Sequence, residues 1–279
     1  MRAKKLFNMT ILILSMSLLS CNSSLTSETE STDTANIEKV RGVFTASGIE
    51  NITISPQTMI ERKIRRAAVK ITDPARRGHG SGSYFMYRGL KLVITAYHVV
   101  DQMNPRDIVV VGRDDESVRA RLIYKDEQND IAVLQPVRAL SSRVPMPLNI
   151  LQDEPEINSI LIYTGFPSGH DLLTFQGNLA GFEDIPGMNR RSMIVHTYGW
   201  FGSSGSCLFN SRGKLVGILW GVDVERFTMP QAQEDLIYAS FANLIDMDAV
   251  LAEACTEKRD RPICQMLERQ DIQRRFSED

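Results

Sequence analysis

The sequence predicts an all-β fold of two six-stranded antiparallel β-barrels, followed by a C-terminal helical tail. From about Ala67 onward, short apolar runs are separated by Gly, Pro, Asn and Asp, a pattern typical of short strands joined by turns. A connector with four prolines, residues 136–156, divides these runs into two groups of six. After Phe241 the apolar residues recur at helical spacing.

The two groups of candidate strands define one domain over residues 61–246. The first group predicts a barrel over about 61–135, with strands at 67–71, 82–87, 92–95, 108–111, 120–124 and 131–134. The second predicts a barrel over about 158–246, with strands at 159–164, 172–182, 192–196, 206–209, 215–221 and 236–240. Residues 247–279 form the predicted helical tail, and no appended peptide-binding domain is expected.

The N-terminus has the features of an export signal over residues 1–20. Three cations near the start precede an apolar stretch at 6–19, and Ser20 and Cys21 follow directly. This junction resembles a bacterial lipobox, which implies a lipid on Cys21 and a place in the cell envelope, anchored to a membrane and facing the periplasm or the exterior. The alternative is an ordinary cleaved signal peptide that leaves Cys21 as a free thiol. Residues 21–60 are predicted to be a flexible tether, because their first part is rich in Ser, Thr and acids.

Charge and histidine spacing argue against nucleic-acid and metal binding. The net charge is −2, and the basic clusters at 62–66 and 76–77 are short and offset by nearby acids. A solvated face is therefore expected there rather than an anion site. His79, His170 and His196 share no spacing typical of a zinc site, so we predict no metal or cofactor and give these histidines surface or structural roles.

The three remaining cysteines are given separate roles. Cys255 and Cys264 lie nine positions apart, and an exported protein meets an oxidising environment in which a disulfide between them persists. The alternative of two free thiols on a helical tail stays open, because spacing alone does not fix connectivity. Cys207 is predicted to be a small buried hydrophobe that enters a strand.

Three polar residues lie beside apolar strands in contexts that suit hydrolytic chemistry. His98 follows the apolar run 92–94 and is the candidate general base, while Asp130 precedes the run 131–134 and is the candidate group that orients it. Ser204 lies between Gly202 and Gly205, where the backbone can turn tightly and expose both a hydroxyl and N–H groups. Ser204 is the candidate nucleophile.

These motifs, in this order, resemble the trypsin-like peptidases of the chymotrypsin fold. The histidine lies in a Thr-Ala-x-His context, the aspartate opens Asp-Ile-Ala-x-Leu, and the serine lies in Gly-x-Ser-Gly. The likeness is strongest to the bacterial HtrA-like peptidases and glutamyl endopeptidases. It implies a serine endopeptidase acting on polypeptides, with the amides of Gly202 and Ser204 as the oxyanion hole. Ser203 replaces the aspartate of trypsin-like zymogens, so activation by a freed N-terminus is not expected.

The same resemblance implies six substrate-binding residues: Tyr198, Gly199, Phe201, Leu219, Trp220 and Gly221. No acid is among them, which disfavours Lys or Arg as the preferred residue. Leu219 stands where glutamyl endopeptidases have histidine, which disfavours Glu and leaves an apolar residue. Trp220 is equally compatible with a place in the barrel core.

A non-enzymatic alternative belongs to a different functional class. A protease-like fold can bind peptides or another protein without hydrolysing them, because motifs do not prove that the catalytic groups are aligned. Covalent labelling of Ser204 distinguishes this catalytically silent binding module from the endopeptidase.

Overall fold

A computed structural model describes residues 56–74, 78–188, 190–222 and 236–256, together with Cys264, Gln265 and Glu268. All of them belong to one compact unit, Ile54–Asp279. The signal at 1–20, Cys21 and most of the predicted tether lie outside the described residues. Within the described part of the chain, no helix has the length and apolar character needed to cross a membrane.

The first element is an α-helix, α1 (Pro56–Ala67), which corrects part of the predicted tether. The tether prediction extended to residue 60, whereas the chain is already helical at Pro56. Ile60, Ile64 and Ala67 recur at helical spacing, and the last two are almost completely buried, with exposures of 1% and 0%. Burial of this narrow apolar face against the barrel stabilises a helix that is otherwise rich in cations.

The first barrel consists of six strands that close on themselves. Their order around the barrel is β1-β4-β5-β6-β3-β2, and antiparallel pairing between β1 and β2 completes the ring. The strands are β1 (Ala68–Thr72), β2 (His79–Tyr87), β3 (Leu90–Thr95), β4 (Val109–Val111), β5 (Ser117–Asp126) and β6 (Ile131–Pro136). A two-residue strand in the connector, β7 (Met146–Pro147), pairs parallel to β2.

The second barrel is also closed and six-stranded, with the order β10-β13-β12-β11-β8-β9. Its strands are β8 (Ile160–Gly165), β9 (Leu173–Glu183), β10 (Ser192–His196), β11 (Cys207–Asn210), β12 (Leu215–Val222) and β13 (Leu236–Phe241). The predicted fold of two six-stranded barrels is therefore confirmed. Each predicted strand overlaps an observed one, with boundaries that differ by three residues or fewer.

The two barrels pack against each other through a continuous apolar core. Residues of the second barrel, among them Cys207, Phe209 and Ile218, join the buried cluster of the first. The rings of Phe85 and Phe209 lie 6.1 Å apart across this boundary. The close packing of such an interior fixes the relative position of the loops at its edge, which is where the candidate site lies.

The chain after the second barrel returns to the first. Helix α2 (Met247–Thr256) buries Val250, Leu251 and Ala254, and Asp248 accepts a hydrogen bond from Tyr87 and pairs with Arg88. The helical tail predicted from residue 247 is thus observed up to Thr256, and most of the later residues lie outside the described part. A disulfide joins Cys255 to Cys264, with a Cα–Cα distance of 5.5 Å.

Candidate active site

His98 is held in place by a single carboxylate. It lies on a 3₁₀ turn, Tyr97–Val99, that follows directly after β3. The ring Nδ1 lies 2.6 Å from Asp130 Oδ2, and the backbone N–H of His98 donates to Asp130 Oδ1 at 2.7 Å. The carboxylate favours the tautomer with hydrogen on Nδ1, which leaves the lone pair of Nε2 free to accept a proton.

Asp130 is positioned by its backbone as well as by its side chain. It immediately precedes β6 and has a φ of 54°, a left-handed conformation that aspartate tolerates better than most residues. Its carbonyl accepts a hydrogen bond from the Tyr97 N–H at 3.1 Å. Next to it, the Asn129 carbonyl accepts from Ser240 Oγ of the second barrel at 2.5 Å. The acid is therefore fixed at the boundary between the barrels.

Ser204 lies on a tight loop that enters β11. Both glycines of this loop have positive φ, 96° at Gly202 and 86° at Gly205. A Cβ atom on Gly205 would lie 2.1 Å from Thr95 Oγ1 and 2.2 Å from the carbonyl oxygen of Ser81. Glycine is therefore required at this position both for its conformation and for the close approach of the first barrel.

Ser81 of β2 connects the serine loop to the first barrel, a role that the sequence did not predict. It is fully buried, and its backbone N–H donates to the carbonyl of Ser204 at 2.8 Å. Its hydroxyl donates to the carbonyl of Gly202 at 2.6 Å and accepts from the Phe166 N–H at 3.0 Å. A serine between two glycines near the start of β2 is the local signal of this role.

Two backbone amides beside the hydroxyl of Ser204 are free to bind a ligand. The carbonyl of Phe201 accepts from the Ser168 N–H at 2.7 Å, and the carbonyl of Ser203 accepts from the Ser206 N–H at 2.9 Å. Because C=O and N–H point in opposite directions across a trans peptide, these bonds direct the next amides, those of Gly202 and Ser204, the other way. Neither amide donates to another group among the described residues. This arrangement can hold a negatively charged oxygen.

The base and the serine line the same cavity, whose volume is about 460 Å³. Its wall is formed by Gly78, His79, His98, Val99, Met103, Ser168, Gly169, Phe201, Gly202 and Ser204. In the described part of the chain, no hydrogen bond joins the Ser204 hydroxyl to His98. In sites without substrate, this contact is often long and shortens only in the complex.

His79 lies in the wall of this cavity, next to the two free amides. Its Nε2 lies 2.8 Å from the carbonyl oxygen of Phe166. A Cβ atom on Gly202 would approach the same Nε2 to 2.6 Å. The surface or structural role predicted for His79 did not include this position in the cavity, because its contacts are to residues far along the chain.

Of the six predicted substrate-binding residues, only Phe201 lines this cavity. Its side chain is 77% exposed, and its ring packs edge-on against Trp200. The ring of Tyr198 packs at a tilt of 32° against the ring of Phe175, with a centroid separation of 5.1 Å. A Cβ atom on Gly199 would lie 2.3 Å from Ile237 Cγ2, so that glycine is closely packed within the second barrel.

The other three predicted residues lie on β12 behind the serine loop. The Leu219 side chain is buried in the core of the second barrel, and its carbonyl accepts from the Gly205 N–H at 2.7 Å. Trp220 stacks on Tyr238 at 5.4 Å, and Gly221 is the register partner of the same tyrosine. Residues 223–235, which follow this strand, lie outside the described part of the chain.

The remaining sequence predictions near the site concern cysteine and metal chemistry. Cys207 is a free, fully buried thiol at the start of β11, and burial raises its pKa to about 12. Such a thiol stays protonated at neutral pH and is a poor nucleophile. The described segments contain no group of three or more His, Cys, Asp or Glu side chains that could hold a metal ion.

Comparison with known proteins supports the assignment of the fold. Residues 80–218 match the family model of the trypsin-like peptidase domain, a span that contains His98, Asp130 and Ser204. This part of the chain is similar to trypsin-like peptidases. No curated protein sequence matches the chain. Together with the two closed barrels, the family match supports a peptidase with the chymotrypsin-like fold.

Solved structures of one bacterial protease share this chymotrypsin-like fold. The active form of the Rv3671c protease from M. tuberculosis is 18% identical, with a TM-score of 0.54 over 70% of this chain and 83% of that one. An inactive form of Rv3671c, a serine-to-alanine mutant, is also 18% identical, with a TM-score of 0.54 over 71% and 91%. At this level of identity, the likeness concerns the fold alone.

Proposed function

We propose that the chain is a serine endopeptidase in which Ser204 is the nucleophile, His98 the general base and Asp130 the residue that orients the base. The observation that carries this proposal is that the carboxylate of Asp130 contacts both the backbone N–H and the ring Nδ1 of His98. His98 in turn lines the same cavity as Ser204 and Gly202, whose backbone amides are free. A base, an orienting acid, a hydroxyl and oxyanion donors are the four parts that acyl transfer from an amide requires.

The first half of the reaction forms an acyl-enzyme. The Ser204 oxygen attacks the carbonyl carbon of the scissile peptide while its proton passes to His98 Nε2. The carbonyl oxygen becomes negatively charged and is held by the N–H groups of Gly202 and Ser204. When this intermediate collapses, the C–N bond breaks and His98 gives the proton to the leaving amine.

The second half repeats these steps with water. His98 Nε2 accepts a proton from a water molecule as the water oxygen attacks the ester carbon. The same two amides stabilise the second oxyanion, and its collapse breaks the bond to Ser204. His98 then returns the proton to the serine oxygen, which leaves a peptide carboxylate and the enzyme in its starting state. Asp130 stabilises the imidazolium that forms twice.

Labelling with a fluorophosphonate probe tests this proposal without a known substrate. We expect the wild type to be labelled and Ser204→Ala to be unlabelled, because the probe forms its bond with an activated serine. Ser211→Ala is the matched control, since Ser211 is an exposed serine in the turn after β11. A folded wild type that stays unlabelled would overturn the proposal and favour the peptide-binding alternative.

We also propose that the enzyme is exported and tethered to a membrane by lipid on Cys21. The apolar stretch before Ser20 and Cys21 supports this, and the disulfide between Cys255 and Cys264 fits an oxidising compartment. Mass spectrometry of the N-terminal peptide is expected to find an acylated Cys21. Cys21→Ser should release the protein from the membrane fraction, and an unmodified thiol in the wild type would refute the anchor.

An apolar residue is the proposed preference at the cleaved bond. The support is the largely exposed ring of Phe201, which of the six residues assigned from the resemblance is the one that lines the cavity; none of the six is acidic or a histidine. Cleavage of a mixed peptide library, read by mass spectrometry, is expected to show products that end in apolar residues. Products that end mainly in Lys, Arg or Glu would contradict this preference.

A further inference from the structure

A second cavity, of about 500 Å³, contains an unusual concentration of positive charge. It lies between α1, the turn after β4 and the connector that follows β6, and none of its lining residues lines the cavity of His98 and Ser204. Five of its lining residues are arginines: Arg62, Arg65, Arg66, Arg113 and Arg143. Three of them come from α1, and the other two come from distant parts of the chain.

Arg143 is a buried cation without a counter-ion. It is only 6% exposed, and its two terminal nitrogens donate to backbone carbonyls, those of Arg65 at 3.1 Å and Gly112 at 3.4 Å. Its Nε has no hydrogen-bond partner, and no described carboxylate forms an ion pair with this guanidinium. Burial and the nearby charges of Arg113 and Arg65 lower the pKa of Arg143 to about 10. A buried charge is costly unless it is paired.

The acids near this cavity leave part of its positive charge uncompensated. Glu116 is engaged elsewhere, because it pairs with Arg138 at 3.0 Å and accepts four hydrogen bonds from the backbones and hydroxyls of Ser141 and Ser142. These bonds hold the pKa of Glu116 well below its usual range. Asp114 is exposed and is the acid whose charge acts on Arg143. Asp114, Asp115 and Asp171 line an adjoining cavity together with Arg65, Arg113 and Arg143. The five cations therefore outnumber the three nearby carboxylates.

The remaining guanidinium groups surround the buried one and differ in their freedom. Arg65 is fixed, since it donates to Thr174 Oγ1 at 2.6 Å and to the carbonyl of Leu172 at 3.2 Å. Arg62, Arg66 and Arg113 are exposed, and their side chains form no ion pair with the described residues. The three exposed guanidinium groups can therefore bind one small anion together, next to the hydrogen-bonded side chains of Arg65 and Arg143.

We propose that this arginine cavity is a binding site for a phosphate-class oxyanion, either free or carried by a lipid headgroup. Guanidinium groups bind phosphate through paired N–H donors in a matching planar geometry, which makes arginine more suitable than lysine for this ligand. The bound anion would also supply the counter-charge that Arg143 lacks. The short basic run of α1, which from sequence alone indicates a solvated face, becomes part of a site once Arg113 and Arg143 join it.

A third cavity shows what sets this site apart. It is lined by Arg106, Arg119 and Arg121, all of which are exposed to solvent. That cavity has no buried cation, so its charges are solvated without a ligand. It therefore provides a control in which three exposed arginines can be replaced, to match the replacement of Arg62, Arg66 and Arg113 in the arginine cavity.

Calorimetric titration with inorganic phosphate, at constant ionic strength kept with chloride, tests the proposal for the free anion. We expect the wild type to bind, the variant Arg62→Gln/Arg66→Gln/Arg113→Gln to lose affinity by about tenfold or more, and the control Arg106→Gln/Arg119→Gln/Arg121→Gln to bind within about twofold of the wild type. Both triple variants remove three exposed charges, so their net charges are equal. Arg143 is left unchanged, which avoids a folding defect, and circular dichroism confirms that each variant is folded.

Vesicles test the lipid source of the same ligand. Phosphatidylcholine vesicles with about one fifth phosphatidic acid are compared with phosphatidylcholine alone, in a sedimentation assay with protein that lacks the Cys21 lipid. Binding to the acidic vesicles alone, lost in the first triple variant and kept in the control, supports a headgroup as the ligand. The proposal is overturned if neither phosphate nor the acidic vesicles bind, or if both triple variants weaken binding equally.

Discussion

Replacing Gly202 by alanine would place a Cβ atom 2.5 Å from the carbonyl oxygen of Phe166 and 2.6 Å from His79 Nε2. Neither contact can be kept, and the φ of 96° at this position is itself unfavourable for alanine by about 1–2 kcal/mol. The peptide must therefore rotate, which moves the Gly202 N–H away from its present direction. Loss of one oxyanion donor raises the barrier by about 3–4 kcal/mol, a factor of roughly 10² to 10³ in rate.

The rate of fluorophosphonate labelling measures this effect directly, because attack on the probe also develops charge on a phosphoryl oxygen. Gly187→Ala is the matched control: Gly187 has a φ of 93°, and a Cβ atom there would meet nothing within 4 Å. We expect this control to lose stability by about 1 kcal/mol and to be labelled at nearly the wild-type rate. Equal labelling of Gly202→Ala and wild type would refute the role of this amide.

Three further predictions concern the acid of the site, a carboxylate of the first barrel and the buried thiol. Asp130→Asn is expected to slow labelling by about 10⁴-fold without unfolding the protein, because the amide no longer selects the Nδ1–H tautomer of the histidine; a smaller change than tenfold would contradict this orienting role. Glu116→Gln is expected to lower the free energy of unfolding by about 2 kcal/mol at pH 7, because Glu116 accepts several charge-assisted hydrogen bonds. Because the pKa of Glu116 is lower in the folded state, the difference in free energy of unfolding between wild type and Glu116→Gln should be fully present above pH 4.5 and should shrink as the pH falls below that value. Denaturant titrations at several pH values across that range measure this difference. Cys207, whose pKa is raised, should resist iodoacetamide at pH 8 in the folded protein and react after denaturation, as read by mass spectrometry.

Most of the fold could be predicted because its signals are local. Each strand is a short apolar run bounded by turn residues, so the twelve barrel strands are visible in the sequence. The two missed elements lack such signals. Helix α1 carries its apolar residues among many cations, and β7 has only two residues, one of which is a proline.

The residues of the candidate site also fall into two groups, those that the sequence identifies and those that only the packed structure reveals. His98, Asp130 and Ser204 each stand in a short motif that identifies them without knowledge of the fold. The contributions of Ser81 and His79 to this site depend on partners 121 and 87 positions away in the sequence, and that of Arg143 to the separate arginine cavity depends on a partner 78 positions away. Periodicity and spacing do not predict contacts of this kind, because they arise only when the two barrels and α1 are packed together.

The hydrogen bonds of Ser81 have a consequence for how the enzyme acquires its activity. One residue of the first barrel holds the carbonyls of Gly202 and Ser204 in the second, so the serine loop reaches its working shape only when both halves of the chain are docked. Two fragments separated within the connector at 136–156 should each be inert toward an active-site probe and regain labelling when mixed. The reactivity of Ser204 is then a chemical reporter of barrel association during folding.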